Sequence, residues 1–223
     1  MNKLKKSMLA GIFLLFFLLL VNFHLKLFIP FSAVFWVSRI YFWIVLAAIV
    51  FYARKVEKQN FLLYEEQKYH FSKALLMAIL VVIVMIFGMA FLNSILIFFG
   101  LSQEPSQETK TVYSLFEGNY LLLIFTCITA GVTEEFLFRG YLQTRLERLF
   151  NKTWAGILIS ALVFGIMHIS WNNFFHIVGS FWIGLVLAYF YYKYRNIKIL
   201  IFLHIFYDLF SIVAKLLLDI FKA

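Results

Sequence analysis

The sequence predicts an all-α, polytopic membrane helical bundle with about seven transmembrane helices and one short amphipathic interfacial helix. Three observations predict it. Of the 223 residues, 64% are hydrophobic and 14% charged, against roughly half and a quarter in a soluble domain. The apolar residues come in long runs that 2 Pro scarcely interrupt, and each hydrocarbon crossing needs about 20 apolar residues. The basic residues stand at the edges of those runs rather than within them.

The runs place helices at 7–27, 33–53, 74–100, 118–139, 154–170, 172–193 and 197–221, with polar linkers at 54–73 and 101–115. The first run follows the basic stretch Met1 to Lys6. It resembles a signal peptide but is too long and lacks a nearby small-x-small cleavage site, so an uncleaved first helix is expected. The net charge of +9 would suit nucleic acid in a soluble chain. Its position at run edges points to the lipid bilayer instead, and no nucleic-acid partner is expected.

Loop charges orient the bundle. With the N-terminus inside, the inner loops hold Lys3, Lys5, Lys6, Arg54, Lys55, Lys58, Lys68, Lys73, Arg145, Arg148, Lys152, Lys193, Arg195 and Lys198. The outer side holds Lys26, Lys110 and Lys222, with Arg39 and Lys215 near outer helix ends. This is a strong positive-inside bias, so the expectation is an integral multi-pass protein with a cytoplasmic N-terminus and an external C-terminus. Residues 141–150 put Leu142, Leu146, Leu149 and Phe150 on one stripe and Arg145, Glu147 and Arg148 elsewhere, which predicts the amphipathic surface helix.

Ionisable groups inside a bilayer are costly and usually functional. Here they cluster in the second half. Sixteen uncharged residues, Gly118 to Thr133, lead into Glu134, Glu135 and Arg139. Glu135 and Arg139 have the spacing and order of a helical ion pair, which predicts a structural role. Glu134 is rotated by about 100° from Glu135, faces other helices, and is a candidate general base. Phe164 and His168 share a helical face, as do His204 and Asp208 on the last helix. Each pattern alone also fits a packing or hydrogen-bonding role. Three in successive apolar helices favour a functional site.

The remaining polar residues fit blander roles. His24, His70 and His176 have no matching partners and are read as interfacial or structural, and Arg39 as snorkelling to the outer surface. Lys215 and Asp219, four apart, are expected to pair. The glycosylation pattern at Asn151 falls on the inner side and is discarded. Cys127, the single cysteine, excludes an internal disulfide. It lies two turns before Glu134 and is read mainly as a small apolar residue, with a thiol role as the alternative.

The motifs Glu134-Glu135-x-x-x-Arg139, Phe164-x-x-x-His168 and His204-x-x-x-Asp208, with Gly140 after the arginine, resemble the three motifs of the CPBP group. That group contains the type II CAAX prenyl endopeptidases and the bacteriocin-processing or immunity proteins. The resemblance covers about residues 118–212 and divides the chain into a three-helix membrane region at 1–112 and a peptidase-like core at 113–223.

The resemblance implies an intramembrane endopeptidase of a bacterial cell membrane, acting on a peptide or protein substrate in or near the bilayer. The residues matching Glu134 and His168 activate a water, and those matching His204 and Asp208 stabilise the oxyanion. The prenyl endopeptidases carry Asn where this chain has Asp208, whereas Asp occurs among other members. An amide can donate to an oxyanion, but an ionised carboxylate repels it. Asp208 must therefore be protonated, orient His204, or bind a metal. His168, His204, Glu134 and Asp208 form a plausible zinc ligand set, yet no His-Glu-x-x-His pair shares a helix, so the metal-free glutamate mechanism without a cofactor is preferred. The alternatives are a zinc-dependent peptidase, a non-catalytic binding or immunity protein on the same fold, and a proton-relaying transporter.

Depth poses a geometric problem for this site. If the Glu134 helix ends at Arg139, Glu134 lies about 8 Å from the inner face while His168 lies about 21 Å in. Either that helix continues, or the His168 helix is strongly tilted. The topology is directly testable. Reporter fusions after Ser106 should read external and those after Lys58 and Arg195 internal, and an internal reading at Ser106 would break the alternation.

Overall fold

A computed structural model describes residues 2–24, 28, 30–101 and 104–220. Its elements are α1 (Lys3–His24), α2 (Phe31–Tyr52), α3 (Phe71–Phe98), α4 (Gln107–Phe116), α5 (Tyr120–Glu134), α6 (Thr144–Phe150), α7 (Thr153–Met167), α8 (Phe174–Tyr194) and α9 (Ile197–Ile220). Among the described residues seven helical spans are long and apolar enough to cross a membrane. The molecule is an all-α, multi-pass membrane bundle. Its polarity is inverted relative to a soluble fold. Phe71, Phe87 and Phe98 are more than 70% exposed, while Arg139, Arg145, Glu57, Glu135 and Gln143 are buried. Such a surface is stable against lipid and unstable against water.

The largest departure from the expected elements lies in the fourth span. A π-helical stretch, Glu135–Gln143, joins α5 to α6, so one helical rod runs from Tyr120 to Phe150 over 31 residues. The expected short helix at 141–150 is present as the end of this rod rather than as a separate surface segment. Leu142 and Leu146 are buried as the stripe predicts, but Arg145 is fully buried too, and Phe150 is exposed. Arg145 reverses the expectation because a buried carboxylate awaits it. Its Nη2 lies 2.9 Å from Glu57 Oε2 and its Nε 3.2 Å from the same oxygen. Tyr141 donates to Glu57 Oε1 at 2.6 Å, and Arg145 also donates to the carbonyls of Asn60 and Phe61.

This network anchors the end of α2, which finishes in a short π turn at Ala53–Glu57, to the middle of the bundle. Residues 59–70 then pack across this end of the bundle through a few side chains. Phe61 is buried, Tyr64 donates to Glu147, and Glu66 accepts from the backbone N–H of Ile197 at 2.9 Å, capping α9. Burial beside the Glu147 carboxylate pushes the Tyr64 hydroxyl above its ordinary range, so it stays a donor.

Close backbone approach sets the helix pairs that frame the site. A Cβ on Gly131 would lie 3.2 Å from the Ile201 carbonyl and 2.5 Å from the Ile205 side chain, so glycine lets α5 and α9 meet closely. Gly165 does the same for α7 and α8, where an added Cβ would sit 3.0 Å from the Ile177 carbonyl. Small residues at such crossings are the usual means of tight helix packing in lipid. α4 lies largely in the stretch read from sequence as a polar linker. Ser106 caps it by accepting from Thr109 N, and Thr109, Val112 and Phe116 turn inward.

The Glu57–Arg145 pair gives a stability prediction. Arg145→Ala strands the Glu57 carboxylate in a buried site and should cost ~3–5 kcal/mol. Arg148→Ala, at an exposed neighbour, should stay within ~0.5 kcal/mol. Thermal unfolding in detergent distinguishes them, and equal midpoints would contradict the pairing.

Candidate active site

The continuity of the fourth span removes the depth problem. Glu134 lies about 24 Å along the rod from Phe150, and His168 about 22 Å along α7 and its extension from Thr153. The two side chains therefore reach the same level without strong tilt. His204 is only about 10 Å along α9, so α9 starts deeper in the bundle than α7, with residues 59–70 packed against its first turn.

Glu134 and Glu135 divide as their rotation around the helix requires. Glu135 is fully buried and its Oε1 accepts from Arg139 Nη1 at 2.7 Å. The same oxygen is 2.7 Å from His204 Nδ1. The sequence reading gave Glu135 only the arginine, and the structure adds the histidine. Arg139 is held further by the Gly184 carbonyl at 3.3 Å and by the Phe164 ring, 4.4 Å from its Cζ. A guanidinium, a carboxylate and an imidazole are thus locked in one row, with the arginine on the side away from the cavity.

The other edge of the His204 ring faces the cavity. Its Nε2 is 3.4 Å from Asp208 Oδ2 and 3.9 Å from Glu134 Oε2. A doubly protonated ring therefore has an acceptor near each nitrogen. His168 is oriented differently. α7 ends at Met167, earlier than expected, and His168 opens a 3₁₀ turn, His168–Trp171. Its Nδ1 lies 2.8 Å from the Phe164 carbonyl. A carbonyl only accepts, so Nδ1 carries the proton and Nε2 is left for the cavity. The Phe164 ring separates the two histidines, 4.9 Å from His168 and 6.0 Å from His204 between centroids.

Glu134, His168, His204 and Asp208 line one cavity of about 310 Å³. Apolar and aromatic side chains of α2, α3, α4 and α8 make up much of its remaining wall, among them Phe35, Met89, Phe116 and Phe175. Cys127 is buried and also lines it. Among the described residues no three His, Cys, Asp or Glu side chains converge as a metal site requires.

Arg39 departs from the sequence expectation, and His176, expected to be interfacial or structural, lines the same cavity. Arg39 does not snorkel outward but lines the cavity, with its Cζ 5.4 Å from the Phe35 ring and 5.8 Å from the Phe42 ring. His176 stacks on Trp171 at 5.3 Å, with its Nε2 3.4 Å from Thr109 Oγ1. Neither belongs to a motif, so only the fold reveals them. His24 contacts the carbonyl of Leu20 at an exposed site, and His70 is an exposed cap position of α3. The expected Lys215–Asp219 pair involves a side chain outside the described residues, as do Lys26 and Lys222.

The shared Glu135 oxygen predicts unequal roles for the adjacent acids. Glu135→Gln should cost ~3–5 kcal/mol in thermal unfolding by stranding Arg139, whereas Glu134→Gln, at the cavity wall, should cost little. Equal losses would contradict this division.

Comparison with known proteins finds two similarities. Residues 116–210 match the family model "Type II CAAX prenyl endopeptidase Rce1-like". A Bacillus subtilis (strain 168) protein described as "Putative membrane peptidase YdiL" is 27% identical over 172 residues, 77% of this chain and 68% of the relative. No solved structure matches the chain significantly. The matched segment contains Glu134, Arg139, His168, His204 and Asp208, and over it the chain is similar to the type II CAAX prenyl endopeptidases.

Proposed function

We propose that the chain is an intramembrane endopeptidase that hydrolyses a peptide bond with a water activated by Glu134 and His168. The observation that carries this reading is the meeting of Glu134, His168, His204 and Asp208 on one largely apolar cavity inside the bundle. The peptidase named among the relatives points the same way. The apolar lining favours a hydrophobic peptide segment, and the inward bias of basic loops favours a cytoplasmic N-terminus in a bacterial cell membrane.

In the proposed reaction a water sits between the Glu134 carboxylate and His168 Nε2. Glu134 takes one of its protons as the oxygen attacks the scissile carbonyl carbon. The negative charge that develops on the carbonyl oxygen is met by the proton on His204 Nε2, a donor held in place through Nδ1 by Glu135 and Arg139. Collapse of the tetrahedral intermediate breaks the C–N bond, and Glu134 returns its proton to the departing amine. The products are a carboxylate and an amine, and the base is regenerated. Asp208 orients His204 from the Nε2 side.

The metal-free form of this mechanism is part of the proposal. Its test uses Asp208. Asp208→Asn preserves shape, keeps a contact to His204 and adds a neutral donor, so cleavage of a peptide library by the purified protein should persist. Asp208→Ala should lower the rate, by about two to three powers of ten if a direct oxyanion donor is lost with it, and Glu134→Gln should abolish it. Loss of activity with Asp208→Asn equal to that with Ala, together with inactivation by chelator and recovery with zinc, would establish the metal mechanism instead.

A further inference from the structure

Three arginines reach into this bundle, and two of them have a carboxylate. Arg139 holds Glu135 at 2.7 Å and Arg145 holds Glu57 at 2.9 Å. Arg39 does not: among the described residues no carboxylate oxygen lies within 4.0 Å of its guanidinium, and its Nε is buried without a hydrogen-bond partner. The rings of Phe35 and Phe42 flank it. Cation–π contact offsets only part of the cost of desolvating a guanidinium. Glu134 and Asp208 lie within electrostatic reach, so they balance the charge across space and leave its N–H groups available.

Arg39 also lines a second, smaller chamber of about 90 Å³ beside the main cavity, with Glu134 and His168 in the wall common to both. That chamber contains another unsatisfied group: Asn22 Oδ1 is buried and has no partner. An amide turned by 180° presents its NH₂ in the same place. Ser38, also in the wall, is already committed, since its hydroxyl donates to the Phe35 carbonyl at 2.8 Å. A planar fork of donors beside an amide, in a space too small for an aromatic side chain, fits a carboxylate.

We infer that this chamber is an anion subsite that takes a carboxylate of the bound peptide, with Arg39 as its main donor and Asn22 as the second. The inference rests on the peptidase reading given above. Because Glu134 stands in the shared wall, the recognised carboxylate lies within a residue or two of the bond under attack. Two sources carry this chemistry, the free C-terminus of a peptide and the side chain of an Asp or Glu.

The probes are dansyl-labelled hydrophobic peptides in two pairs, Leu-Phe-Leu-Leu as free acid and as amide, and the amide of Leu-Phe-Glu-Leu beside its Gln counterpart. Binding is read by fluorescence in detergent on the full chain carrying Glu134→Gln, which prevents turnover. The acidic member of one pair should bind about tenfold or more tightly than its neutral counterpart. Adding Arg39→Gln should bring that ratio close to one, and Arg39→Lys should leave an intermediate ratio, since an ammonium keeps the charge without the fork.

A preference in the first pair identifies a terminal carboxylate, and one in the second an acidic side chain. No preference in either pair, or a preference unchanged by Arg39→Gln, overturns the subsite. The preference is read first with Arg39 intact, so a poorly folded Arg39→Gln protein does not remove the test. Acid preference in binding combined with no cleavage of any peptide by the wild type would instead remove the peptidase reading and leave the subsite standing.

Discussion

The site depends on one oxygen atom. Glu135 Oε1 accepts from Arg139 Nη1 and lies at hydrogen-bonding distance from His204 Nδ1, at 2.7 Å in each case. A carboxylate in a membrane interior is costly unless it is paired and hydrogen-bonded, and these two partners come from its own rod and from α9. The interaction therefore fixes three things together: the position of α9 against α5, the ring edge that His204 turns to the cavity, and the rotation that leaves Glu134 facing the cavity. Buried ion pairs add little net stability compared with apolar packing, but breaking one is expensive. That asymmetry suits a row whose geometry must hold.

The bundle supports this row on both sides. Gly131 lets α5 and α9 approach until His204 reaches Glu135, and Gly165 lets α7 and α8 close behind Phe164. Phe164 then contacts the Arg139 guanidinium on one face and both histidines around its rim. The second polar network, Glu57 with Tyr141 and Arg145, fixes the basic end of the same rod to α2. It satisfies the charge of Arg145 where the rod stays buried past Arg139.

Much of this could be read from the sequence because a bilayer makes each charge conspicuous. All seven spans, the Glu135–Arg139 spacing and the three motifs are local in the chain, and local patterns survive without knowledge of packing. Three features could not be read. The amphipathic stripe at 141–150 is real, but whether its arginine meets water or a carboxylate depended on Glu57, eighty-eight residues earlier. Arg39 was assigned to the surface by its place near a helix end, and only the positions of α5 and α9 turn that part of α2 toward the interior. α4 has a polar sequence overall; its helical spacing puts Val112 and Phe116 on one face, but only the fold shows that this face meets the cavity.

The 31-residue rod also bears on how the protein meets membranes of different thickness. It is about 46 Å long, well beyond a hydrocarbon layer of about 30 Å, so it must lean or project. Glu134 is fourteen residues from Tyr120 and sixteen from Phe150, close to the midpoint. When a rod leans further in a thinner bilayer, its ends swing most and its centre moves least. Placing the paired acids at the fulcrum keeps their height within the bilayer nearly constant while the ends absorb the change.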